Sequence, residues 1–132
     1  MELQQQVCSL DLAKRLKELG VEQESIFWWC GDVSLDFLPQ PMTKKEISSY
    51  NQVEFCEPGV SAFTVAELGE MLPKRLHQSN LTITRGVWWE VCYDEATVDT
   101  LGGYKGLQTA DTEADARAKM LIYLIENKLL AA

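Results

Sequence analysis

Leu81-Thr82-Ile83-Thr84-Arg85-Gly86-Val87-Trp88-Trp89-Glu90-Val91-Cys92-Tyr93 carries two alternating runs on either side of Arg85-Gly86. A period of two is the signature of a β-strand with one face buried. Leu81 and Ile83 point one way on the first run. On the second, Val87, Trp89, Val91 and Tyr93 share one face, and Trp88, Glu90 and Cys92 share the other. Arg85-Gly86 predicts a two-residue hairpin turn with the glycine at positive φ. The Trp89 face is assigned to the core, which leaves the surroundings of Trp88 as the open question.

A second aromatic run, Ile26-Phe27-Trp28-Trp29-Cys30, repeats the Trp-Trp pair, and the two pairs hold all four tryptophans of the chain. Adjacent residues on a strand face opposite ways, so each pair puts one indole on each side of a sheet. Gly31-Asp32 would turn this strand into Val33–Phe37, which Pro39 and Pro41 would end, since proline donates nothing to a ladder. The stretch from Gln40 to Gly59 is the least legible, with a short helix from Lys44 to Tyr50 and a strand from Gln52 to Cys56 as its suggestions.

Three helices surround these strands. Leu12, Ala13, Leu16 and Leu19 make one face of a helix from Ser9 to Leu19, with Ser9 as N-cap and Gly20 as the stop. Phe63-Thr64-Val65-Ala66-Glu67-Leu68 is a full helix start: Thr64 caps, Glu67 at N3 closes a capping box, and Phe63 and Leu68 form the hydrophobic staple. Pro73 ends that helix. Thr112 caps the last helix with Asp115 at N3. Its stripe of Ala114, Ala118, Leu121, Ile122, Ile125 and Leu129, widened by Met120 and Leu124, implies burial against more than one neighbour. Asp94 to Ala110 reads as a loop holding a strand at Lys105–Thr109.

The order predicts an α+β fold: a mostly antiparallel sheet packed with about three amphipathic helices, in a single globular domain over residues 1–132. Each half follows an amphipathic helix with strands bearing Trp-Trp, the outline an internal helix-plus-strands repeat would give. A chain of this length can bury roughly 65–70% of its unfolded surface, which is enough for an ordinary core. No apolar run approaches the roughly 18 residues that a membrane helix needs. Met1-Glu2-Leu3-Gln4-Gln5-Gln6 has no basic region leading into an apolar one, so a cytoplasmic protein is expected.

Net charge is −8. Such a balance disfavours direct nucleic-acid binding, which needs a basic footprint. It leaves two readings: ordinary solubility, and an acidic mimic of DNA aimed at a basic host protein. The acids are spread over the chain rather than grouped, which favours the first. Cys8, Cys30, Cys56 and Cys92 form no Cys-x-x-Cys pair, so reduced structural thiols are expected ahead of a disulfide or a metal site.

The search for catalysis returns little. His77 stands alone in a polar segment, and there is no nucleophile elbow, P-loop or dinucleotide fingerprint. Gly102-Gly103-Tyr104-Lys105-Gly106 lacks the helix start a phosphate cradle needs and reads as a surface loop. Asp111, Glu113 and Asp115 have calcium-loop spacing, but Ala116 and Ile122 stand where Gly and Glu are required. Asp94 and Glu95 read as a solvated strand exit. The expectation is no catalytic residue, no metal and no cofactor.

Three segments carry a resemblance. Leu12-Ala13-Lys14-Arg15-Leu16-Lys17-Glu18-Leu19-Gly20 through Phe27-Trp28-Trp29 is the first, and Phe63 through Pro73 is the second. Ala114 through Glu126 is the third. In sequence and order they resemble small uncharacterised proteins of phages, prophages and mobile elements. The resemblance covers about a third of the chain and implies a small cytoplasmic accessory protein with helices around a sheet. It brings no activity, so no functional residue is carried over.

The leading functional expectation is a non-catalytic protein-interaction or self-associating module whose partner is another protein or a second copy, as in a homodimer. Its candidate contact residues are Trp29, Trp88, Glu90 and Tyr104, tryptophan and tyrosine being enriched at binding hot spots. The DNA-mimic inhibitor is the first alternative. A small hydrolase or ligand-binding enzyme is the second.

Overall fold

The structure, a computed structural model, describes residues 2–32, 37–46, 60–76, 79–95 and 104–130. In chain order it comprises α1 (Leu3–Gln6), α2 (Leu10–Glu18), β1 (Phe27–Asp32), β2 (Phe37–Thr43), β3 (Val60–Ala62) and α3 (Val65–Met71). There follow β4 (Arg75–Leu76), β5 (Ser79–Arg85), β6 (Trp89–Glu95), β7 (Tyr104–Ala110) and α4 (Glu113–Glu126). Residues 44–46 are also helical, and the rest of the expected Lys44–Tyr50 helix lies outside the described residues, as does the expected strand from Gln52 to Cys56.

The fold is α+β, with its strands divided between two antiparallel sheets of order β2-β1-β3 and β4-β5-β6-β7. Helix α2 packs on β3 and on α4, while α4 packs on β6, β7 and α3. The helices therefore join the two sheets. Ala114, Ala116, Ala118, Met120, Leu121 and Leu124 of α4 are all buried, which matches burial on more than one side. Phe63, Leu16, Leu68, Val91 and Tyr93 complete the centre of the core.

Local grammar explains the helix ends. Thr64 Oγ1 accepts from Glu67 N at 3.2 Å and Glu67 Oε1 accepts from Thr64 N at 3.0 Å, which is the expected capping box. Thr112 Oγ1 accepts from Asp115 N at 3.2 Å. Gly20 takes φ 92 after α2, the left-handed stop that glycine permits. Ser9 sits at the N-cap of α2 but makes no side-chain cap. Its backbone N–H instead donates to Asp115 Oδ1 at 2.6 Å, tying α2 to α4.

Several expectations are corrected. Strand β1 runs on to Asp32, which pairs with Phe37 past a bulge, and β2 continues through Pro39 and Pro41, with Pro41 opposite Trp29. Both prolines are tolerated because β2 is the edge strand among the described residues, with β1 as its one ladder partner there. Strand β7 contains the expected Lys105–Thr109 strand, so Tyr104, Lys105 and Gly106 are not in the surface loop that the glycines suggest, and Asp94 and Glu95 belong to β6. Cys8 and Cys92 are buried thiols, whereas Cys30 is disulfide-bonded. The reduced reading therefore fails for Cys30: thiol spacing along a chain says little about which cysteines a sheet brings together. The β5–β6 connection is also longer than two residues, with consequences described next.

Candidate interaction surface

Arg85 pairs with Trp89 across the β5–β6 hairpin, leaving Gly86, Val87 and Trp88 as a three-residue tip. The tip is closed by Gly86 N–H donating to Trp88 O at 2.9 Å. Gly86 has no positive φ among the described residues, where Gly20 is the glycine that does. The two-residue turn fails because Val87 and Trp88 leave the ladder. The strand parity beyond it survives: Trp89 packs on the core, and Val91 and Tyr93 are inside it.

Val87 is consequently 95% exposed and Trp88 48% exposed. The Trp88 indole is not loose. Its Nε1 donates to Glu90 Oε1 at 3.3 Å, and the ring borders a shallow recess with Thr109, Asp111, Asp115 and Lys119. Arg85 lies beside the tip, its guanidinium 5.7 Å from the centre of the Trp89 ring, a cation–π distance. Leu107 on β7 adds a further 45%-exposed apolar side chain.

The four candidate contact residues therefore separate. Trp88 and Glu90 are at the tip, joined by a hydrogen bond. Trp29 is not part of this surface: it is half-buried against the core, and its Nε1 donates to Cys8 O at 3.0 Å. An indole N–H within reach of a backbone carbonyl is a structural fastening. The backbone of Tyr104 is in β7, and its side chain lies outside the described atoms.

Trp28, the neighbour of Trp29, is buried on the opposite sheet face. It stands across from Met42 and Ser61 and under Lys44 Nζ at 5.6 Å. Trp28 Nε1 and Ser61 Oγ are both buried without a hydrogen-bond partner among the described residues. Both faces of this sheet are thus covered at the first Trp-Trp pair, whereas the second pair leaves one indole partly in solvent.

Sequence reasoning missed a groove near the C-terminal end of α4. Val21, Met71, Leu121, Ile125 and Leu130 line it, Glu22 and Glu24 stand at it, and its volume is about 350 Å³. The signal lay in the width of the α4 apolar stripe, which exceeds what one sheet can cover.

A larger cleft of about 680 Å³ lies between the starts of α3 and α4. Several of its polar groups are already engaged in holding the fold. Thr64 and Thr112 cap their helices. Arg117 donates twice to Glu113 Oε1, at 2.6 and 3.1 Å, and reaches Val65 O at 3.3 Å. Elsewhere, burial pushes the Cys8 thiol up to about 12, aided by the Asp115 carboxylate, so it is not held as a thiolate nucleophile. Burial also lifts Tyr93 to about 12, and its hydroxyl donates to Pro73 O at 2.7 Å. Among the described residues no group of His, Cys, Asp and Glu is placed to hold a metal ion, and His77 lies outside them. Among the described residues no helix is long and apolar enough to cross a membrane.

No family model, curated protein or solved structure matches the chain.

Proposed function

We propose that this chain is a non-catalytic protein-interaction module whose contact surface is the β5–β6 hairpin tip. The observation that carries the reading is the exposure of Val87, at 95%, beside a half-exposed Trp88. Covering them removes apolar area from water at roughly 25 cal/mol per Å². The tip is also preorganised: the hairpin ladder fixes its base and Glu90 fixes the indole. A rigid aromatic loses little conformational entropy on binding.

The acidic-mimic alternative has weaker support. Glu67 caps α3, Asp115 holds the start of α2, and Glu113 and Glu126 pair with arginines. Those carboxylates serve the fold rather than a phosphate-like array. The three helical segments that resemble phage and mobile-element proteins support an accessory role of that origin as part of the same proposal.

The test is site-specific photo-crosslinking. A photoreactive phenylalanine at position 87 is expected to give discrete protein adducts in cells, while the same group at Lys14, on the exposed side of α2, gives none. No adduct at position 87 above that control would overturn the reading.

A further inference from the structure

The hairpin tip and the groove are chemical complements. The tip offers a cation, Arg85, then the apolar Val87 and Trp88. Arg85 has no carboxylate partner among the described residues. The groove offers Met71, Ile125 and Leu130 above the buried Val21 and Leu121, with Glu22 and Glu24 as its charged lining residues. Neither glutamate has a basic partner among the described residues. One surface therefore lacks an apolar cover and an anion, and the other lacks an apolar occupant and a cation.

The two cannot meet within one molecule. Trp88 lies against Asp111 and Asp115 at the start of α4, whereas the groove uses Leu121, Ile125 and Leu130 at its other end. Ten residues of helix separate Asp115 from Ile125, about 15 Å along the axis at 1.5 Å per residue. The tip is also fixed at its base by the Arg85–Trp89 pair.

We propose that the groove binds the hairpin tip of a second copy of this chain. Val87 enters between Met71 and Ile125, and Arg85 comes to Glu22 and Glu24. The inference rests on the tip being a contact surface and adds its occupant. The contact is head-to-tail, with different patches on the two partners, so it can propagate from copy to copy. It is small, so association is expected to be weak and to depend on concentration, over roughly 10 μM to 1 mM.

Sedimentation velocity on the full chain tests it, with two variants at exposed positions: Val87→Asp at the tip, and Glu22→Lys with Glu24→Lys at the groove. The wild-type average mass should rise with concentration and fall when salt is added. Each variant alone should stay monomeric. An equimolar mixture should form a dimer and stop there, because one variant keeps an intact groove and the other an intact tip. A mixture that stays monomeric overturns the proposal, as does a Val87→Asp variant that associates like wild type. A wild-type chain monomeric throughout that range also overturns it. If such a monomer still crosslinks to another protein from position 87, this inference fails and the interaction reading stands. If position 87 gives no adduct at all, the interaction reading itself fails.

Discussion

Gly69 shows how a single atom is excluded by a distant part of the chain. It sits within α3, where glycine costs about 1 kcal/mol relative to alanine. A Cβ there would collide with Arg117 Nη1, and that guanidinium is held by Glu113 and by Val65 O. The glycine thus makes room for an ion pair with side chains only 17% and 24% exposed. Gly69→Ala is expected to lower stability by about 1 kcal/mol, because Nη1 must give up the Val65 carbonyl and the rest of the guanidinium must shift on Glu113. In an Arg117→Ala background the same substitution should instead stabilise by about 0.5–1 kcal/mol through helix propensity. Chemical denaturation of the four proteins of this double-mutant cycle checks the change of sign; equal effects in both backgrounds would show that the steric account is wrong. Nothing in the sequence marks residue 69 as a neighbour of residue 117, since the proximity belongs to the packing of α3 on α4.

At the scale of elements, the two cap positions that looked alike in sequence differ in the structure. Thr64 closes a reciprocal capping box, whereas the Ser9 side chain makes no cap bond. Thr64→Ala should therefore cost about 1 kcal/mol, and Ser9→Ala should be within about 0.5 kcal/mol of neutral, both read from urea midpoints. Comparable losses would mean that Ser9 caps after all. Helices were legible because their signals are local: Thr64 with Glu67, Thr112 with Asp115, and Gly20 all carry meaning within four residues. Strands β5 and β6 were legible for the same reason, through alternation. What escaped is non-local. The prolines of β2 read as breakers because edge position depends on strand order, which no local pattern encodes. The hairpin read as two residues long because Val87 continues the alternation it does not join. That one-step error conceals the candidate surface, since it assigned Val87 to a core-facing strand position rather than to an exposed tip. Trp88 could be singled out from the doubled pair, but the groove could not, being assembled from the start of β1's connection, α3 and α4.

For the molecule as a whole, Cys8 and Tyr93 couple the core to alkaline pH. Both are buried, and burial raises each to about 12, from 9.0 for the thiol and 10.0 for the phenol. The folded state keeps them neutral while the unfolded chain ionises at the ordinary values. Their stabilisation is thus complete below about pH 9 and is lost progressively as pH rises through about 12. For Cys8 the loss by about pH 11 is about 2–3 kcal/mol, a drop in Tm of roughly 10 °C. Calorimetry of wild type and Cys8→Ala from pH 7 to about pH 11 separates the two groups. The variant should begin its decline about one pH unit later, near the tyrosine's ordinary value; an unchanged onset would rule Cys8 out as its source. A single transition is expected throughout, because α2 and α4 bring residues of both sheets onto one buried cluster.

The position of α4 in the chain has a consequence for biosynthesis. It follows every described strand in the sequence, yet it supplies the surface against which α2, α3 and the β6–β7 pair are packed. As the polypeptide leaves a ribosome, the β6–β7 pair emerges with the face that α4 covers still bare, and it stays so until residues 113–126 clear the exit tunnel. Native packing of that pair therefore waits on the last described helix. The interval before α4 docks, when that apolar face is open to water, is when a holding chaperone would have most to protect.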